Sequence, residues 1–306
     1  MLNRVKRVEI VEVAPRDGLQ NEARLLPTST KLELIERAWA AGLRRIEVAS
    51  FVHPDRVPQM ADAEAVVAGV RPHPGVEYSV LVLNERGYER ALAAGVTAVN
   101  TVVPATETFG KRNQGMSVDD AVRIVTALRS RAAHDGIRFT ITISVAFGCP
   151  FEGEVAPERL GHVVERVVAV SPDELALADT IGVGTPGDVA ERLGLVAALG
   201  PEAPLRLHFH NTRNTGIANA IAAAQAGVSV LDASLAGIGG CPFAPAATGN
   251  IATEDLVYAL DRMGFETGVD LGRAIEAARW VAGELQTEPQ GMVARAGPFP
   301  PEAPSA

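Results

Sequence analysis

Residues 174–209 read ELALADTIGVGTPGDVAERLGLVAALGPEAPLRLHF. Two short apolar runs, Glu174–Ala178 and Leu205–Phe209, flank a segment with helical punctuation. Thr185 precedes Pro186, which suits a first helical turn. Val189, Leu193 and Val196 follow at helical spacing, and Gly200 supplies the stop. Strand, helix, strand is the reading, and near-continuous apolar strands are those of a parallel sheet covered on both faces. The same alternation extends in both directions. Further strands are predicted at Val8–Val13, Arg45–Ala49, Glu77–Leu83, Ala98–Val103, Phe139–Val145 and Ser229–Ala233. Thr30, with Glu33 three residues on, predicts a helix start that carries Leu32, Ile35 and Trp39 before Gly42. Thr253 predicts another, with Leu256, Val257, Leu260 and Met263 facing inward before Gly264. Eight strand–helix units in about 260 residues match an α/β fold of the (β/α)8 TIM-barrel type. A doubly wound open sheet is disfavoured because no Gly-x-Gly-x-x-Gly follows the first strand. An additional helix is expected over Val269–Leu285, so residues 1–286 form one catalytic domain. The five prolines after Thr287 predict a disordered tail over 287–306.

The composition agrees with a folded chain. Of 306 residues, 47% are hydrophobic and 21% charged, which excludes wholesale disorder. The net charge of −9 leaves no basic field for nucleic acid. No apolar run approaches the roughly 20 residues that span a bilayer. The basic start, Met1 to Arg7, leads straight into Val8–Val13 without the apolar stretch of a signal peptide. The expectation is a soluble, cytoplasmic protein whose two cysteines, Cys149 and Cys241, form no disulfide framework.

In such a barrel, chemistry sits at the C-terminal strand ends and the loops after them. The first strand leads to Arg16 and Asp17, the second ends near Glu47, the sixth at Asp179, and the seventh at His208 and His210. After the eighth come a glycine-rich loop with Cys241 and then Asn250. Strand residues i and i+2 point the same way, so His208 and His210 can offer two nitrogens to one cation. The bland alternative is a hydrogen-bonded histidine pair. Asp17 adds a negative charge and Asn250 a neutral oxygen, and that donor set admits Mn, Zn, Fe or Co, with Mg less natural. Arg16 carries a donor fork suited to a carboxylate or an enolate oxygen, though a lone Arg is usually a surface ion pair. Glu47 could orient Arg16 or only balance charge. Cys149 reads as a small buried residue, while Cys241 lies where glycines permit movement.

Several strings carry a resemblance. They are Pro15-Arg16-Asp17-Gly18-Leu19-Gln20-Asn21-Glu22, Ser50-Phe51-Val52, Gly148-Cys149-Pro150-Phe151-Glu152-Gly153, Asp179 to Gly187, and above all Gly237 to Asp255. The chain resembles the 3-hydroxy-3-methylglutaryl-CoA lyase family from about residue 6 to 290. That family belongs to a group of metal-dependent barrels which includes isopropylmalate and homocitrate synthases. The resemblance implies metal-assisted retro-Claisen cleavage of the acyl-CoA to acetyl-CoA and acetoacetate. It implies Mg or Mn held by Asp17, His208, His210 and Asn250. It further implies that Arg16 stabilises the enolate, Glu47 supports the site, Cys241 closes over the substrate, and Asp179 lies near the substrate hydroxyl. His208 or Asp179 would take the hydroxyl proton, and a homodimer is expected. Two places depart from the family pattern: Asn211-Thr212-Arg213-Asn214 stands where Asp-Thr-Tyr-Gly is expected, and Ala176 where a serine is expected. These changes are expected to border the substrate. They keep open a lyase for a related 3-hydroxy-acyl-CoA, with a condensing synthase of the same group as a further alternative.

Overall fold

Each of the eight apolar runs forms a strand in the computed structural model, which describes residues 6–240 and 249–300. They are β1 (Glu9–Glu12), β2 (Arg45–Ser50), β3 (Glu77–Leu81), β4 (Ala98–Pro104), β5 (Arg138–Ser144), β6 (Glu174–Asp179), β7 (Leu205–Phe209) and β8 (Val230–Ala233). Each pairs in parallel with the next, and β8 returns to β1. The sheet is a closed (β/α)8 TIM barrel, which rules out the open doubly wound alternative.

The helices after the successive strands are α1 (Thr28–Ala40), α2 (Ala63–Gly69), α3 (Glu85–Ala93), α4 (Val118–Asp135), α5 (Pro157–Val168), α6 (Pro186–Leu199), α7 (Gly216–Gln225) and α8 (Thr253–Arg262). The start of α6 is a capping box. The Asp188 amide donates to Thr185 Oγ1, and the Thr185 amide donates to the Asp188 carboxylate at 2.8 Å. Two local expectations fail. α1 begins at Thr28 behind Pro27, whose fixed φ of −66° sets the entry, so Thr30 lies inside the first turn and is not a cap. Met263 follows the last turn of α8 and is 40% exposed instead of facing inward.

After the barrel, α9 (Leu271–Leu285) buries Ala274, Ala278, Val281 and Ala282 and packs on the loop after β8. The stretch expected to be disordered contains a five-residue helix, α10 (Met292–Ala296). The Met292 and Val293 amides donate to the Asp255 carboxylate at 3.0 and 2.7 Å, and Arg279 Nε donates to the Ala294 carbonyl at 2.7 Å. These bonds fix the segment despite its prolines, whose composition gives no sign of its docking partners.

The barrel interior is not filled by aliphatic side chains alone. Arg45 on β2 makes a two-pronged pair with Glu174 on β6, at 2.7 and 2.8 Å, and both are buried. Arg206 on β7 points inward beside them, with Glu174 Oε1 at 3.7 Å from its Nη1. This charged floor lies beneath the site, and strand alternation places His208 on the same inner side two residues further along β7.

Candidate active site

The chain leaves β1 in one wide turn, Ala14–Gly18, in which the Val13 carbonyl accepts from the Gly18 amide five residues on, at 3.0 Å. The turn carries Arg16 and Asp17 over the barrel. Gly18 is needed there because an added Cβ would come within 2.7 Å of Ile238 Cγ1 and 3.0 Å of Ser234 Oγ. From β7, His208 and His210 direct their Nε2 atoms towards Asp17 Oδ2, at 3.9 and 4.0 Å. Asp17, His208 and His210 each offer one ligand atom within 4.8 Å of the others.

One carboxylate oxygen and two imidazole nitrogens at that spacing fit a single divalent cation. His208 is already set for the task, since its Nδ1 faces Asp232 Oδ2 at 3.0 Å and leaves Nε2 directed to Asp17. Asn250 is also brought here through its bridge with His210. Its amide nitrogen faces inward, however, and donates to Asp17 Oδ2 at 3.0 Å and to the Ile238 carbonyl at 3.1 Å. Ligation by Asn250 requires the amide to turn its oxygen to the cation, because an NH2 group offers no lone pair.

Arg16 is buried between two acids. Its Nε donates to Glu47, and its Nη1 donates to Asp17 Oδ1 at 2.5 Å. Glu47 also accepts from Asn100 Nδ2 at 3.1 Å, so it holds Arg16 from behind. Burial alone would raise the Asp17 carboxyl, but Arg16, His208 and His210 outweigh it and hold the group well below the usual carboxylate range. Burial, with the charge of His208 beside it, pushes His210 down to about 3. His208 moves the other way: burial opposes its charge, but the hydrogen bond and charge of Asp232 prevail and raise it. A cavity of about 670 Å³ opens over these groups and also reaches Asn100, Thr142, Ser144 and the exposed Arg56.

The family model named HMGL-like matches residues 7–281. This chain belongs to the HMGL-like family. The mitochondrial hydroxymethylglutaryl-CoA lyase of Rattus norvegicus is 43% identical over 291 residues, which cover 95% of this chain and 90% of the rat protein. The (R)-citramalyl-CoA lyase of Chloroflexus aurantiacus is 42% identical, with 97% of each chain covered. The solved hydroxymethylglutaryl-CoA lyase of Pseudomonas aeruginosa superposes with a TM-score of 0.92 at 39% identity, covering 95% of this chain and 97% of that one.

In this HMGL-like chain, not every residue singled out from the sequence meets the cavity. Asp179 is fully buried at the end of β6, and its two oxygens accept from the Val183 and Gly184 amides at 3.0 and 2.9 Å. Burial raises its carboxyl against those amides. Its visible work is to shape the turn that enters α6. Cys241 lies outside the described residues. Cys149 is buried and takes a hydrogen bond from Thr106 Oγ1 at 3.1 Å. The divergent 211–214 segment makes structural bonds of its own. Asn211 Oδ1 accepts from the Gly216 amide at the start of α7, and Arg213 Nη1 donates to the Ile181 and Gly182 carbonyls. Neither residue lines the cavity.

Three further residues went unremarked in the sequence: Arg206, Asp232 and Asn100. The signal for Arg206 was present, since period two puts it on the same side as His208 and His210. Asp232 was marked only by being a lone acid in an apolar strand.

Proposed function

We propose that this chain cleaves 3-hydroxy-3-methylglutaryl-CoA to acetyl-CoA and acetoacetate. The observation that carries this reading is Arg16, a buried permanent cation, fixed by Glu47 beside the Asp17–His208–His210 donor set in one cavity. When bound there, a divalent cation, Mg or Mn in this proposal, supplies Lewis-acid charge to the substrate oxygens. Cleavage transfers the hydroxyl proton to the thioester's α-carbon overall. The hydroxyl oxygen becomes the ketone of acetoacetate, and the electron pair of the broken C–C bond becomes the enolate of acetyl-CoA. Arg16 faces the thioester oxygen, where that charge grows, and its own position costs no reorganisation because Glu47 and Asp17 already hold it. Glu47 and Asn100 keep the guanidinium aimed. His208 keeps Nδ1 against the Asp232 carboxylate, which leaves Nε2 toward Asp17, and Asp179 acts from behind the wall through the turn at 182–184. Cys241 is the proposed donor of the proton to the enolate carbon.

A second reading has a specific support. The Chloroflexus relative is a citramalyl-CoA lyase, as similar to this chain as the rat enzyme is. Citramalyl-CoA has the same 3-hydroxy-acyl thioester unit but would yield pyruvate. Incubation of the purified protein with each thioester, in Mg and in Mn, separates the two. Acetoacetate from the glutaryl thioester alone supports the first reading, and pyruvate alone from citramalyl-CoA replaces it. The working form is proposed to be a cytoplasmic homodimer, which light scattering on the eluted protein tests. Among the described residues, no helix is long and apolar enough to cross a membrane.

A further inference from the structure

Asp232 on β8 touches neither the thioester nor the acyl group in the chemistry above, yet it is held from two directions. Its Oδ2 faces His208 Nδ1 at 3.0 Å and accepts from Arg206 Nη2 at 2.9 Å, while Oδ1 accepts from Arg206 Nε. All three residues are buried. The register brings them together: β7 and β8 pair Arg206 with Val230, so Asp232 lies two residues further along, level with His208. Arg206 extends the connection, its Nη2 lying 3.6 Å from Glu47 Oε2, and Glu47 holds Arg16 Nε. Arg16 meets Asp17, and Asp17 Oδ2 faces His208 Nε2 at 3.9 Å. The side chains therefore close a ring that runs His208, Asp232, Arg206, Glu47, Arg16, Asp17. His210 has no equivalent anchor, since its buried Nδ1 has no hydrogen-bond partner among the described residues.

We propose that Asp232, clamped by Arg206, is a positioning residue that fixes His208 as the tautomer protonated on Nδ1, so that Nε2 presents its lone pair to the cation. The proposal rests on the reading of Asp17, His208 and His210 as a divalent-cation site. An ionised carboxylate can only accept, so the ring nitrogen against it must carry the proton. The opposite tautomer would aim an N–H at the cation and bring two lone-pair atoms together at 3.0 Å. Arg206 matters because it uses up the freedom of Asp232 to rotate: two guanidinium donors set the carboxylate plane, and that plane sets the ring. Among the described residues His210 has no such constraint, so the two histidines contribute unequally to holding the ion.

Asp232→Asn tests this. The carboxylate accepts from three donors, Arg206 Nε, Arg206 Nη2 and His208 Nδ1, whereas one amide oxygen cannot serve all three. Mn²⁺ affinity, read by electron paramagnetic resonance, should fall about 10- to 100-fold. kcat at saturating Mn²⁺ should fall less than the affinity does. In the metal-free wild-type protein, at a pH high enough for the ring to be neutral, ¹⁵N resonances of labelled histidine should show His208 protonated on Nδ1 alone, and Asp232→Asn should mix the tautomers. Arg206→Lys, which keeps a cation but not the fork, should move both readouts in the same direction and by less; it also serves if Asp232→Asn does not fold. Mn²⁺ affinity within about twofold of wild type in a folded variant overturns the proposal, as does a neutral wild-type His208 whose single proton sits on Nε2. Failure of the wild type to bind Mn²⁺ would instead sink the cation reading, and the tautomer measurement would still decide the role of Asp232.

Discussion

Arg16 and Asp17 are neighbours in sequence and hydrogen-bonded in space, yet their removal should have different consequences. In the proposed reaction Arg16 provides charge to the substrate side, and Glu47 keeps two other partners nearby when Arg16 is lost, Asn100 and Arg206. Arg16→Gln should therefore lower turnover about a hundredfold or more, consistent with a preorganised donor worth about 3 kcal/mol. Metal content, measured by elemental analysis of the same preparation, should not change. Asp17→Asn removes the one anionic donor of the triad, and here metal content should fall together with activity. If both variants lose metal, Arg16 acts only through Asp17, and its place beside the thioester is wrong.

At the scale of elements, the strands were legible because parallel barrel strands are buried on both faces, and β7 matches the apolar run Leu205–Phe209 end to end. The pairing of His208 with His210 followed from the same period. The turn Ala14–Gly18 was not legible, because a bond from the Val13 carbonyl to an amide five residues on leaves no compositional trace. Nor was the direction of Asp179, whose carboxylate is taken by amides of its own loop. The ring through Arg206 and Asp232 depends on register between two strands, which no single strand's sequence records. The turn has its own test. In Gly18→Ala, the new methyl must displace Ile238, whose carbonyl accepts a hydrogen bond from Asn250 Nδ2. An unfolding free energy lower by about 1–3 kcal/mol is expected, with weaker Mn²⁺ binding because Asp17 moves with the turn. Unchanged stability by urea denaturation would show that the turn yields freely.

Over the whole molecule, two buried acids tie distant segments together and set a pH dependence separate from catalysis. Glu12 at the end of β1 accepts from the Ala14 and Leu235 amides at 2.8 and 3.0 Å and from Thr253 Oγ1 at 2.7 Å, joining three segments that carry site residues. Glu254 accepts from the Ala236 amide at 3.1 Å, and its other oxygen has no partner among the described residues. Burial pushes Glu12 up to about 7 and Glu254 up to about 8, from an ordinary 4.5. Between those values the folded chain keeps protons that the unfolded chain releases, so stability falls as pH rises, by at most about 1.4 kcal/mol per pH unit for each group. His208, raised by Asp232, contributes stability below its ordinary 6.5 that is lost as pH climbs through its folded value, in the same direction. His210, lowered to about 3, acts oppositely but only below 6.5, and the depressed Asp17 and Asp232 act lower still, where acid removes what they contribute. The window from about pH 6.5 to 8 is therefore governed by groups that all push one way. The melting temperature of the metal-free protein should decline across it, and Glu254→Gln, which keeps the neutral form at every pH, should be more stable than the wild type at pH 8 and lose less between pH 6.5 and 8. A variant with the wild-type slope would show that Glu254 is ionised in the folded chain throughout, and that its unpartnered oxygen is compensated by a group not yet identified.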